Sequence, residues 1–277
     1  MNERIIISLT SWRPRLGNLP IVLDSIFNQT LLPDLVVLNL ADDEVLPDKI
    51  QEYLDAHKVE INRVPDTRVY KKLIPTVKKY PNDVVISIDD DFLYPLGMIQ
   101  DFWNIHQQYP DFPVSGNRIV AFGMQGHCGC ASLTKASYFG VYLDYIDSEL
   151  IENCPSDDTV YAFFATMNGH PYIRTVNEYY LNMESVYPVE PYSDDCQWEK
   201  IKQSFLYLQK RFGAISPQSS RYFSDKYWSE LIKDIETNIV ASQRMFDNDI
   251  IKGSMSYRLG HAILYPFSFL KNRILWR

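Results

Sequence analysis

The sequence predicts an α/β domain with a mainly parallel sheet flanked by helices, followed by a C-terminal helical extension. Short apolar runs rich in β-branched residues alternate with amphipathic stretches of helical period, strand then helix, along the first ninety residues. The last run of this series ends abruptly in Asp89-Asp90-Asp91, and after about residue 215 the alternation gives way to polar helical sequence. With 277 residues, 46% apolar and 22% charged, the chain can bury a substantial core. Its composition excludes a disordered, fibrous or small disulfide-stapled protein.

Residues 5–9 form a continuous apolar run, the pattern of a strand buried on both faces of a parallel sheet. Leu19, Val22, Leu23, Ile26 and Phe27 then recur at i, i+3, i+4, i+7 and i+8, one face of a helix. Residues 35–40 repeat the strand pattern, 48–57 follow Pro47 as a helix, and 59–64 read as a third strand. Residues 71–80 read as a short helix despite Pro75, stopping before Pro81, and 84–88 are the fourth strand. Ligands of such sheets bind beyond the carboxyl ends of the strands, where the triple aspartate lies.

Further on, 96–108 reads as a helix, and 118–122 and 131–133 as short strands around a turn carrying Gly123, Gly126 and Gly129. Residues 156–168 read as a helix with Ser156 as N-cap, an apolar stripe of Val160, Phe163, Phe164 and Met167, and Gly169 at its stop. A polar helical segment follows at 225–246, and no internal repeat is present. The expected division is a catalytic domain over 1–215, with halves at about 1–92 and 93–215, and the extension over 216–277.

The net charge of −8 argues against wrapping a nucleic-acid backbone. Arg258, Lys271, Arg273 and Arg277 are the charged residues of 256–277, leaving 23 cations against 35 acids, net −12, in the preceding 255. The tail interleaves these cations with aromatic and aliphatic residues, as in a segment lying on an anionic membrane surface, although Pro266 interrupts it. Cys128, Cys130, Cys154 and Cys196 lack the spacing of a disulfide framework or zinc site and read as structural thiols. The start of the chain lacks the apolar region of a signal peptide, and no run is long enough to span a bilayer. A cytoplasmic protein is expected.

Three adjacent carboxylates at the mouth of a buried strand repel one another and need a cation or solvent to offset them. A hard divalent ion suits oxygen ligands, and Mg²⁺ commonly takes only one or two carboxylates with phosphate and water completing its shell. Such a site suits a nucleotide. Asp157 and Asp158 open a helix, where acids complement the helix dipole and also where a positioned carboxylate could take a proton.

Five stretches, taken together, resemble a metal-dependent glycosyltransferase of the GT-A fold, a Rossmann-like α/β architecture. They are Ser8-Leu9-Thr10-Ser11-Trp12-Arg13-Pro14-Arg15-Leu16, Asp24-Ser25-Ile26-Phe27-Asn28-Gln29-Thr30, Lys71-Lys72-Leu73-Ile74-Pro75, the triple aspartate, and Cys154-Pro155-Ser156-Asp157-Asp158. Within that fold the sequence is closest to the family-two type of bacterial enzymes that build cell-surface polysaccharides, over about residues 4–200.

The resemblance implies a UDP-linked or other nucleoside-diphosphate sugar donor, Mn²⁺ or Mg²⁺, and a glycan or lipid-linked acceptor at the inner face of the plasma membrane. It implies that Thr10 and Ser11 face the base and ribose with Arg15 nearby, and that Asp42 or Asp43 accepts hydrogen bonds from them. Lys71 or Lys72 would approach the nucleotide; Asp89 would hold the ribose, Asp91 the metal, and Asp90 stays uncertain between these roles, with Asp89 a second metal ligand. The general base would be Asp158, with Asp157 the alternate, and the reaction would invert the anomeric centre.

His127, His170 and His261 lack the spacing that would support a third ligand and read as structural or surface residues. Trp198, with Ile201, Phe205 and Leu208, reads as part of a buried helix stripe. Where relatives often carry an aromatic-proline element, this chain has Cys130-Ala131-Ser132-Leu133, which leaves the acceptor open. The alternatives are a metal-dependent phosphohydrolase, which would want a threonine soon after Asp89-Asp90-Asp91-Phe92 and a downstream lysine motif, and a non-catalytic sugar or Ca²⁺ module.

Overall fold

The computed structural model describes residues 3–116, 120–121, 124–127, 130–175, 183–186 and 194–213, with the backbone alone at 120–121, 124–125 and 194–196. All lie within the first of two units, Met1–Ile232. The division expected at 215/216, the polar helical segment, the basic tail, Cys128, Gly123, Gly129 and His261 lie outside the described residues.

The strands are β1 (Ile5–Thr10), β2 (Leu35–Ala41), β3 (Glu60–Val64), β4 (Val84–Ile88), β5 (Phe92–Leu93), β6 (Val114–Ser115), β7 (Val120–Ala121), β8 (Met124–Gln125), β9 (Ala131–Thr134), β10 (Ile173–Arg174) and β11 (Glu184–Ser185). The helices are α1 (Leu19–Phe27), α2 (Asp48–Ala56), α3 (Ile74–Lys79), α4 (Met98–Gln108), α5 (Ala136–Phe139), α6 (Ser148–Asn153), α7 (Asp157–Met167) and α8 (Asp194–Phe212). A seven-stranded sheet runs β10-β6-β9-β4-β1-β2-β3. Its pairs are parallel except those that β9 makes with β4 and β6, so β9 alone is reversed in that sheet. The α/β architecture with a mainly parallel, Rossmann-like sheet is therefore as expected. Among the described residues no helix is long and apolar enough to cross a membrane.

Burial on both faces explains the continuous apolar runs: Ile6, Ile7, Leu9, Val37, Leu38, Val84, Val85, Ile86 and Ile88 are all inaccessible to solvent. Ser8 of β1 pairs with Val37 of β2 and with Ser87 of β4, so the ends of β1 and β4 emerge side by side. That register sets Thr10 and Ser11 beside the aspartates that follow β4.

The single helix expected over 71–80 is instead a 3-10 turn, Arg68–Lys72, followed by α3. Pro75 falls in the first turn of α3, where its missing N–H has no acceptor to disappoint, so it starts a helix rather than bending one. Met98 begins α4 behind Gly97, whose φ of 91° is glycine's territory, two residues later than expected. The core stripe assigned to Trp198 begins only at Ile201. Gln197, Trp198 and Glu199 are all exposed, Trp198 at 47%, whereas Phe205 and Leu208 are buried as expected.

A ladder of polar side chains crosses the sheet interior. Asn39 Nδ2 donates to Ser8 Oγ (3.1 Å) and Thr76 Oγ1 (2.9 Å), and Asn62 Nδ2 donates to Asn39 Oδ1 (2.8 Å). Ser8 Oγ bonds to Thr76 Oγ1 and to the carbonyl of Lys72. The segment 68–79 is thereby fastened to β1 and β2 through bonds that satisfy every rung.

Candidate active site

The first acidic group sits at the end of β4. Asp90 is buried; its Oδ2 accepts from Ser11 Oγ (2.6 Å) and its Oδ1 from Arg15 Nη1 (3.0 Å). The same Arg15 nitrogen lies 3.0 Å from Asp91 Oδ2, so one guanidinium spans both acids. Asp91 Oδ1 is buried without a hydrogen-bond partner. Burial, reinforced by the charge of Asp89, pushes the Asp91 carboxyl up to about 6. Burial also raises Asp90, against the pull of Ser11 and Arg15.

Tyr94 holds this turn in shape. The Asp89 N–H donates to its hydroxyl (2.8 Å), which itself faces the carbonyls of Asp89 (3.0 Å) and Cys130 (2.8 Å). Ser25 Oγ accepts from the Tyr94 N–H (3.1 Å), and Gln29 Nε2 donates to the Pro95 carbonyl (3.0 Å) while its Oε1 accepts from Ile99 N (3.3 Å). The stretch Asp24 to Thr30 thus clamps the chain leaving the aspartates.

The second acidic group opens α7. Ser156 caps the helix, accepting from Thr159 N at 3.3 Å, and its own N–H donates to Ser204 Oγ of α8 (3.1 Å). Tyr70 Oη donates to the Cys154 carbonyl (2.7 Å), tying the 3-10 turn to the approach of α7. Asp157 is buried, whereas the Asp158 side chain is 38% exposed.

Lys72 joins the two groups. Its buried Nζ lies 3.2 Å from Asp89 Oδ1, 3.4 Å from Asp157 Oδ2 and 3.9 Å from Asp158 Oδ1. Desolvation disfavours the ammonium, but Asp157, Asp89 and Asp158 outweigh it and hold Lys72 protonated well above its ordinary range. Lys71, although also buried, turns away to pair with Asp66.

The remaining candidates separate cleanly. Thr10 Oγ1 donates to the Asn39 carbonyl (2.8 Å) at the mouth of β1. Asp42 and Asp43 are exposed on the turn after β2, away from the other candidate residues' bonds, and among the described residues neither forms an ion pair. His127 is buried with Nε2 on Ser87 Oγ (3.1 Å) and Nδ1 on Tyr172 Oη (2.8 Å); burial first, then Lys72, keeps it neutral. His170 Nδ1 lies on the Asp111 carbonyl (2.8 Å). Neither ring is directed at the aspartates. Tyr94 and Asn39 escaped sequence reasoning, and Gln29 stood in a quoted stretch without a role, because each acts by a long-range bond to backbone or side chain that no local pattern announces.

Five carboxylates against Arg15 and Lys72 leave a net −3, which would repel a diphosphate. Among the described residues no three His, Cys, Asp or Glu side chains form a closed metal cage. The residues instead fit an ion with few protein ligands: Asp91 offers a buried oxygen with no other partner, in an excess of negative charge.

No family model and no curated protein matches the chain. Among solved structures, 4-diphosphocytidyl-2C-methyl-D-erythritol synthase is similar at 13% identity over 73% of this chain and 98% of its own, with a TM-score of 0.45. Glucosyl-3-phosphoglycerate synthase from Mycobacterium tuberculosis, in complex with Mn²⁺, UDP and phosphoglyceric acid, is similar at 14% identity over 76% of this chain and 78% of its own, with a TM-score of 0.47. With UDP-glucose and Mn²⁺ bound, that synthase matches at 16% identity over 41% of this chain and 43% of its own, TM-score 0.32. The architecture described above stands on its own strand order and register.

Proposed function

We propose that the chain is a metal-dependent glycosyltransferase that moves a sugar from a nucleoside-diphosphate donor, UDP-linked, to a hydroxyl of a glycan or lipid-linked acceptor in surface polysaccharide synthesis. The observation that carries this reading is the meeting of two acidic groups, from the end of β4 and the start of α7, across one buried lysine. One group is suited to a cation and a diphosphate, the other to a proton.

In this reading Asp91 holds the divalent ion, with Asp89 either a second ligand or a contact to the ribose. Asp90, saturated by Ser11 and Arg15, keeps Arg15 in place and is the least suited of the three to bind metal. A divalent ion bound there would supply Lewis-acid stabilisation of the departing diphosphate. Thr10 and Ser11 line the nucleotide side. Asp158, the more exposed of its pair, takes the proton of the acceptor hydroxyl as the new bond forms, and attack opposite the diphosphate inverts the anomeric centre. The domain division near residue 215 and attachment of 256–277 to the inner membrane surface belong to the same reading, which the charge asymmetry supports.

Thermal denaturation with Mn²⁺, nucleoside diphosphates, both and neither, followed by donor turnover, tests it. Joint stabilisation by Mn²⁺ and UDP beyond either alone is expected. Stabilisation by Ca²⁺ alone, or release of phosphate from simple esters, would replace this reading with a binding module or a phosphohydrolase.

A further inference from the structure

Resting on the glycosyl-transfer reading, we propose that Lys72 is a positioning residue for the base: by clamping Asp157 it turns the first residues of α7 so that Asp158 faces the acceptor. Successive residues of an α-helix project about 100° apart. Holding Asp157 inward at 3.4 Å therefore fixes where Asp158 points; Asp158 Oδ1 lies farther from the ammonium, at 3.9 Å, and the side chains are 10% and 38% exposed respectively.

The lysine is built in for this purpose. A buried ammonium is costly unless its partners are fixed, and here the fold fixes both sides. Ser8 Oγ of β1 donates to the Lys72 carbonyl, and Thr76 near the start of α3 is bonded both to Ser8 and to Asn39 of the neighbouring β2. Two residues before Lys72, Tyr70 reaches the Cys154 carbonyl, so the turn is also fastened to the segment that leads into α7. Lys71 cannot substitute, because its ammonium is committed to Asp66. Asp157 Oδ2 has no hydrogen-bond partner, so the 3.4 Å ion contact with Lys72 is the polar interaction that orients that oxygen.

The test compares Lys72→Met, Asp157→Asn and the double variant in full-length chain. It measures the dissociation constant for UDP with Mn²⁺ and the saturating rate of hydrolysis for a panel of UDP-hexoses. If Lys72 acts through Asp157, each single variant loses about 30-fold or more in kcat, and the double variant matches Asp157→Asn within about threefold. Should Lys72→Met not fold, the comparison of the double variant with Asp157→Asn still decides. Losses that multiply would overturn the clamp and show that Lys72 acts independently of Asp157, and an unchanged kcat in Lys72→Met with weakened UDP binding would overturn it and make Lys72 a donor contact only; either leaves the transferase reading intact. A parent chain that neither binds Mn²⁺ with UDP nor hydrolyses any UDP-hexose would remove both.

Discussion

Asp157 and Asp158 are neighbours in sequence and unlike in setting: both bring an oxygen near the buried Lys72, at 3.4 and 3.9 Å, but the side chain of the first is 10% exposed and that of the second 38%. Their difference was not legible in the sequence, which offered two equivalent acids at a helix start. Likewise Lys71 and Lys72 were interchangeable on paper, and only the register of the 3-10 turn on β1 sends one ammonium to Asp66 and the other to the aspartates. Asp158→Asn should leave UDP and Mn²⁺ affinity within about twofold of the parent while cutting transfer by about 100-fold or more, read by donor titration and turnover. Asp91 adds a stability signature. Its folded carboxyl sits at about 6, above the unfolded value of 3.8, so its protonated form is favoured by folding. That contribution is fully present below 3.8 and is lost as pH rises through about 6. Asp91→Asn, which removes the charge, should therefore raise metal-free stability by about 1–3 kcal/mol at pH 8 and by little near pH 4. Urea titrations at the two pH values check this, and the variant should also lose the Mn²⁺-dependent stabilisation.

The strands that carry the site were the most legible elements. β1, β2 and β4 are buried on both faces, and burial on both faces leaves a continuous apolar run that periodicity detects directly. β6 and β10 are two-residue strands, too short to leave such a signal, and β9 runs against its neighbours, which strand propensity cannot reveal. Trp198 followed the stripe of α8 in sequence but is 47% exposed, since an amphipathic pattern says which side is apolar and not how deeply each position along it is buried. The polar ladder was hidden within apolar strands. Asn39→Leu should cost about 1–3 kcal/mol, because Ser8, Thr76 and Asn62 each lose a partner in the interior, and thermal denaturation measures it. Ser156→Ala should cost about 1 kcal/mol through loss of the α7 cap, and should slow transfer by more than that loss of stability unfolds the chain.

At the scale of the whole molecule, charge is divided in the sequence: an acidic body, net −12 over 255 residues, and a tail whose charged residues are all basic. Composition made that division legible, whereas the placement of the tail lies outside the described residues. In the proposed reading the tail brings the enzyme to a lipid-linked acceptor. Replacing Arg258, Lys271, Arg273 and Arg277 with Gln should abolish co-sedimentation with anionic vesicles at low salt and leave UDP binding unchanged. The central claim is that Asp91, at the end of β4, shares a divalent cation with a diphosphate. Anomalous diffraction from crystals grown with Mn²⁺ and UDP tests it most directly. A manganese peak within coordinating distance of the Asp91 carboxylate and of both phosphates is the result expected, and UDP bound elsewhere, or no manganese beside Asp91, would contradict it.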